Sequence, residues 1–326
     1  MNDIIIRDLQ ASDATNLVSL FQRCYGRTYG SRVFYDTQAL QALIRAGKLR
    51  SVVASDDTTL LGHTGITIRH PDSLVCETGN TVVDPAFRGR GLLKQLGGAL
   101  RERVLREGFI GYMHYPTTAH EIMQRSSVTG GGRETGVMLA YIADTTEYKA
   151  LQQRVGRLAA TVVYQPFAPA PPRDVLCPAR YHRLLEQIYG YLDLPRVLRQ
   201  ASSSSSSPPG GEIASANHAE RGLLSMTVTG SCEDVGERVS RLVKQHKPKI
   251  AHVDLPLDDL SVDRTVNELV DRGFFFCAVL PEFAHTDVLR LQMLDQPTPE
   301  DFQPELVNEQ AQRLCEFMLQ EVDGSS

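Results

Sequence analysis

Apolar residues recur along this chain with two spacings, near 2 and near 3.6 residues, and their alternation lays out a mixed α/β order. Residues 4–7 read as a short strand. Ser12 or Asp13 then caps a helix that keeps Leu17, Leu20, Phe21 and Cys24 on one side. A second helix over 36–46 carries Leu40, Leu43 and Ile44 on one face and stops at Gly47. Strands follow at 50–55 and 60–69, joined by Asp56-Asp57, and then at 75–83. A helix over 91–106 stops at Gly108, and 109–115 returns as a strand. A helix opening near Thr117-Thr118 ends at Gly130-Gly131-Gly132, and 136–142 supplies the last strand of a first domain, 1–143.

The pattern then loosens. Residues 144–199 read as a connector with a helix over 145–153, a strand-like run over 160–167 and an amphipathic helix over 181–192. Between them stand Pro166, Pro169, Pro171 and Pro172, which cannot donate to a ladder and stiffen a crossing segment. Six serines at 202–207 run into Pro208-Pro209-Gly210-Gly211, a composition without enough to bury, so 200–219 is expected to be a disordered loop. Over 220–326 the alternation resumes, with strands at 223–229, 250–255, 274–280 and 288–293 and helices at 233–245 and 259–272. A tail helix with Val307, Ala311, Leu314, Met318 and Val322 at helical spacing is expected to dock on this region or on a second copy of the chain.

A length of 326 residues fits two domains, and 42% hydrophobic with 22% charged residues describes an ordinary soluble globular protein. The net charge of −5 provides no electrostatic footprint for nucleic acid. Six scattered cysteines form no Cys-x-x-Cys pair, so neither a metal site nor a disulfide framework is indicated. No basic segment precedes a long apolar run, so neither a signal peptide nor a membrane span is expected, and the cytoplasm is the expected compartment.

The chemistry concentrates after the strand at 75–83. Thr81-Val-Val-Asp-Pro-Ala-Phe-Arg-Gly-Arg-Gly-Leu-Leu runs from that strand through alternating Arg and Gly directly into a helix. Glycines let the backbone turn its amides inward, and the helix start adds partial positive charge. Such a loop cradles a pyrophosphate, and Arg88 and Arg90 add charge-assisted bonds. It is not a P-loop, which needs Gly-Lys-Ser/Thr at its end, and the third glycine of a dinucleotide fingerprint is replaced by Lys94.

The loop resembles the acetyl-CoA signature of the GNAT superfamily of N-acetyltransferases, Gln/Arg-x-x-Gly-x-Gly/Ala after a Val-x-Pro strand end. Arg88, Gly91 and Val83-Asp84-Pro85 match, while Leu93 stands where a small residue is usual. The order β-α-α-β-β-β-α-β-α-β over about 3–143 is also the order of that fold. The resemblance implies a sheet that splays between the strand at 75–83 and the strand at 109–115, with the pantetheine arm of acetyl-CoA in the cleft. It implies that the backbone of Val82 and Val83 holds the thioester and pantetheine, and that amides around Gly89, Arg90, Gly91, Leu92 and Leu93 hold the pyrophosphate, with Arg88 beside them. Region 220–326 is expected to be a degenerate GNAT-like domain, since Arg106-Glu-Gly-Phe109 is echoed by Asp271-Arg-Gly-Phe274 and neither possible loop counterpart, 229–234 or 254–259, carries an Arg-Gly alternation.

The activity implied is acetyl transfer from acetyl-CoA to a small amine by direct attack. A charged amine must first lose a proton, and Glu77, on the strand feeding the loop, is the candidate base. The family's usual Tyr general acid is missing from 124–133, where Ser126 and Ser127 are poor donors. Either the thiolate leaves unprotonated or the protein is a non-catalytic GNAT-fold module that binds CoA or a protein partner. His120-Glu121 lacks the second His of a zinc helix, and Cys76 has no adjacent base, so it reads as a buried thiol.

Overall fold

Local chemistry sets most element ends. In the computed structural model, residues 3–56, 58–146, 156–200 and 210–324 are described, and the chain falls into two units. The first holds the described residues within 1–69, 74–114 and 144–156. Its strands β1 (Ile5–Asp8), β2 (Arg50–Ser55), β3 (Leu60–Thr67), β4 (Val75–Val83) and β5 (Gly111–His114) stand in that order. The first four pair antiparallel, whereas β4 and β5 pair parallel, because a helix crosses between them.

Helices cover both faces of this sheet. α1 (Ala14–Tyr25) and α2 (Thr37–Arg45) bury Leu17, Leu20, Phe21, Cys24 and Leu40 against Val53, Leu60 and Val82. Asp36 opens α2 by accepting from the amides of Gln38 and Ala39. α3 (Leu92–Arg106) lies on the other face and packs Leu92 and Leu96 against Val52, Ala54 and Leu61. Asp13, one of the two residues expected to cap α1, stands at its N-cap without a side-chain bond to it, and instead accepts from the Gln10 amide and pairs with Arg7.

The second unit holds residues 70–73 and 115–143 and the described part of 157–326. It contains α4 (Glu121–Thr129), β6 (Arg133–Ile142), β7 (Leu158–Pro166), β8 (Arg173–Cys177), α5 (His182–Leu192) and β9 (Arg196–Gln200). Then come β10 (Glu212–His218), β11 (Leu223–Thr229), α6 (Val235–His246), β12 (Ile250–Pro256), α7 (Val262–Val270), β13 (Phe275–Leu280), β14 (Val288–Leu294) and α8 (Glu309–Asp323). The strand order is β7-β6-β13-β14-β12-β11-β10, with β11 and β12 parallel and the other neighbours antiparallel. β8 and β9 form a separate parallel pair crossed by α5. α8 buries Ala311, Leu314 and Met318 against β6 and β13, so the tail helix docks within its own unit.

Several expectations are corrected. The helix expected from Thr117-Thr118 starts at Glu121, because Thr117 bridges Ala160 and the Thr118 amide and hydroxyl both donate to the Ala159 carbonyl. The expected disordered loop at 200–219 contains β10, whose seven residues are mostly exposed but pair in register along β11. Backbone pairing, not burial, holds that strand, and a composition rule weighs only burial. Residues 201–209 lie outside the described residues, as do 147–153 of the expected helix over 145–153. The stretch expected as a connector carries β7, a buried strand beside β6, together with β8, α5 and β9.

Three imidazoles make the fold acid-sensitive, and one of them, His114 on β5, is pushed down to about 4 by burial. His63 on β3 is fully buried, and burial pushes its pKa down to about 4; His252 on β12, whose Nε2 has no partner among the described residues, is held well below 6.5 by burial and by Arg290 and Arg221. Below pH 6.5 the unfolded chain takes up protons that the native imidazoles refuse, so stability falls as pH drops from 6.5 toward 4. His63 alone accounts for roughly 3 kcal/mol over that window, at 1.36 kcal/mol per pKa unit. Urea unfolding at pH 7 and pH 5 should show the loss, and a flat profile between them would refute it.

Candidate active site

The site is built where β4 outruns β5. Parallel pairing begins at Val75↔Gly111 and ends at Thr78↔His114, while β4 continues along β3 to Val83↔Gly62. Over residues 79–83 the strand therefore has a ladder on one side only. That opening is the expected cleft. Its geometry is set by a bulge: His63 to Gly65 on β3 faces Val82 to Gly79 on β4, with Asn80 at φ 54° as the extra residue. The bulge turns the Val82 side chain into the α1-side core and Val83 toward α3, so both valines offer the cleft only their main chain.

The loop after β4 is held from below. Asp84 accepts from the Ala86 amide at 3.0 Å and pairs with Arg23 Nε at 2.5 Å, and Arg23 also donates to the Leu60 carbonyl at 2.6 Å. Arg88 Nε donates to the Val83 carbonyl at 3.4 Å, and the Arg90 guanidinium lies 4.7 Å above the Phe87 ring. Gly89 and Gly91 both sit at φ 76°, a left-handed conformation that a Cβ disfavours. Gly91 caps α3 without a side-chain bond, so the first-turn amides of that helix are left for an external acceptor. Arg88, Gly89, Arg90 and Gly91 are exposed, whereas Leu92 is buried in the α3-side core and Leu93 half-buried. A pyrophosphate fits this donor set: oriented amides, a helix N-terminus and two flanking guanidiniums.

Glu77 lies opposite Thr67, on the face that His63 shares with Phe21 and Phe34. Its carboxylate is buried and accepts from Arg69 Nε at 2.5 Å. Cys76 is buried on the other face, where desolvation pushes its thiol up to about 12, the opposite of what a nucleophile needs. α4 carries no tyrosine, and Ser127 Oγ is spent on the Met123 carbonyl. Among the described residues no cluster of His, Cys, Asp or Glu could hold a metal, and no helix is long and apolar enough to cross a membrane. Sequence reasoning missed Arg23, His63, Asn80 and Tyr29; Gly79-Asn80 inside a strand was the one available sign of a bulge.

The model of the acetyltransferase (GNAT) family matches residues 14–122, a span that includes β4, the loop and α3. These residues form a GNAT acetyltransferase domain. Solved structures similar to the chain include the ribosomal-protein-S18-alanine N-acetyltransferase from Escherichia coli, at 14% identity and TM-score 0.40, covering 52% of this chain and 97% of that one. An N-acetyltransferase from Staphylococcus aureus Mu50 is similar at 12% identity and TM-score 0.42, with 51% and 99% covered. A GNAT superfamily phosphinothricin acetyltransferase from Sinorhizobium meliloti, in complex with AcCoA, is similar at 19% identity and TM-score 0.41, with 51% and 89% covered. No curated protein matches the sequence. GNAT enzymes use acetyl-CoA, and the acetyl group is what this domain's family transfers.

Proposed function

We propose that the GNAT domain transfers acetyl from acetyl-CoA to the primary amine of a small molecule by direct attack. The observation that carries this reading is the coincidence of a one-sided β4 with an uncapped, glycine-turned helix start at its end. The amides of Gly89 to Leu93 grip the pyrophosphate, and the main chain of Val82 and Val83 holds the thioester and pantetheine. The amine nitrogen attacks the thioester carbonyl carbon, the C–S bond breaks, and CoA leaves as the thiolate. The proton released from the amine passes to Glu77, whose orientation Arg69 fixes.

Residues 212–294 are, in this reading, a degenerate second copy of the same half-fold. Antiparallel β10–β11 followed by parallel β11–β12 across α6 repeats antiparallel β3–β4 followed by parallel β4–β5 across α3. The loop before α6 carries Glu233 and Asp234 in place of arginines, and the Gly236 amide already donates to Glu268 Oε2 at 3.1 Å. A carboxylate of the chain itself occupies the place a phosphate would need, so this copy serves as scaffold.

Thermal unfolding with acetyl-CoA, CoA and ATP tests the assignment. At a hundredfold over Kd a bound ligand adds about 2.7 kcal/mol, which raises the midpoint by roughly 5–10 °C. Acetyl-CoA and CoA should both do so and ATP should not; no shift with either CoA form overturns the reading. Glu77→Gln should keep the acetyl-CoA shift and slow turnover about 10²-fold at pH 7, with the deficit narrowing at high pH as the amine deprotonates unaided. An unchanged pH–rate profile removes Glu77 from the base role.

A further inference from the structure

Asn80 is the extra residue of the bulge, and it is fastened at both its main chain and its side chain. Its carbonyl lies 2.8 Å from His63 Nδ1. A carbonyl only accepts, so Nδ1 carries the proton, and Nε2 at 2.9 Å accepts from the Ser51 hydroxyl. The imidazole is fully buried, with the Phe21 and Phe34 rings each 5.8 Å away and edge-on. The Tyr29 hydroxyl donates to the Asn80 side chain, at Oδ1, at 2.6 Å. Tyr29 is itself held: its amide donates to the Tyr35 hydroxyl at 2.9 Å, and its ring centroid is 4.9 Å from both Phe21 and Tyr25.

We propose that Tyr29 and His63 are positioning residues, which clamp the bulge at Asn80 and thereby aim the main chain of residues 81–83 into the acyl-CoA cleft. The proposal rests on the assignment of Val82 and Val83 given above. Its physical basis is that a bulge residue has no ladder partner of its own, and here β5 has already parted at Thr78. An asparagine can take either positive φ or extended backbone, so contacts from outside the strand decide which of the two is held. Extended backbone at Asn80 would swap the faces of Val82 and Val83 and turn their amides and carbonyls away from their present directions. The clamp thus couples the segment between α1 and α2, where Tyr29 sits, to the strand that holds the thioester.

Two variants test this without disturbing the core. Tyr29→Phe removes one hydroxyl and keeps the ring, while Asn80→Gly keeps the positive φ and removes the acceptor. In the unliganded protein, hydrogen–deuterium exchange over 79–83 should rise about fivefold or more in either variant, with 89–95 unchanged. Turnover with an amine that the wild type acetylates should fall about tenfold, with acetyl-CoA affinity kept within about twofold. The melting midpoint should move by no more than about 2 °C, and the double variant should be no worse than the singles, because each removes the same bond. Unaltered exchange over 79–83 in Tyr29→Phe overturns the clamp, as do turnover losses that multiply in the double variant. His63→Asn, which retains a donor at the Nδ1 position, should be less impaired than His63→Leu. If no CoA form binds the wild type, the proposed function fails by itself and the exchange measurement still decides the clamp.

Discussion

Gly91→Glu should weaken acetyl-CoA binding at least about a hundredfold, close to 3 kcal/mol, while leaving the domain folded. Two effects act at this position and they differ in size. Gly91 sits at φ 76°, so any side chain pays a left-handed backbone cost of about 1–2 kcal/mol. A Cβ there meets nothing within 4 Å, so no clash adds to that cost. The larger effect is electrostatic: a carboxylate would point from the start of α3 into the place where the pyrophosphate charge belongs. Gly91→Asn separates the two, since asparagine tolerates the left-handed conformation and carries no charge. It should lose about tenfold or less in affinity, measured by calorimetric titration. Equal losses in both variants would mean that backbone shape alone governs the loop. Affinity within threefold of wild type in Gly91→Glu would show that the pyrophosphate binds elsewhere.

What could be read from the sequence was whatever local chemistry decides. The helix over 36–46 and the strand over 75–83 have nearly the bounds expected, because Asp36 and the Arg-Gly loop punctuate them within a few residues. The turn of the Arg-Gly loop was legible for the same reason: its backbone demands glycine at 89 and 91, and the proposed cofactor contacts are main-chain donors of that turn. Parts that depend on distant partners were not. β10 has little to bury and exists by pairing with β11. The parallel pair β8–β9 arises only once α5 has carried the chain back. Tyr29 and Asn80 lie 51 residues apart, and nothing in either neighbourhood marks the contact. Glu77 is proposed as the base from its place on the strand, whereas its partner Arg69 was not legible, because β3 ends earlier than its pattern suggests.

The second unit rests on a set of charges equally invisible in the sequence, and Arg196→Met is expected to lower its melting midpoint by roughly 10 °C. The side chains of Arg196, Glu282 and Asp287 are fully buried. The Arg196 guanidinium reaches Asp287 at 2.7 and 3.1 Å, Glu282 at 2.6 Å and the Pro171 carbonyl at 2.7 Å. Arg173 adds a second cation on Glu282 at 2.6 and 2.8 Å, so two guanidiniums balance two carboxylates. The Glu282 amide also donates to Asp287, which helps hold Glu282 at φ 55° in the turn between β13 and β14. Methionine keeps most of the volume and removes the charge, which leaves two carboxylates facing one cation in a dry environment. Breaking a buried pair in this way typically costs 3–5 kcal/mol, and about 2–4 °C of midpoint accompanies each kcal/mol in a unit of this size. The loss belongs to the stranded charges rather than to the missing contacts. Arg196→Met combined with Glu282→Gln and Asp287→Asn should therefore recover a large part of it, since the amides still accept where the carboxylates did. A triple variant no more stable than Arg196→Met would place the cost in lost hydrogen bonds instead. A single variant melting within about 2 °C of wild type would mean that Arg173 alone suffices to neutralise the cluster.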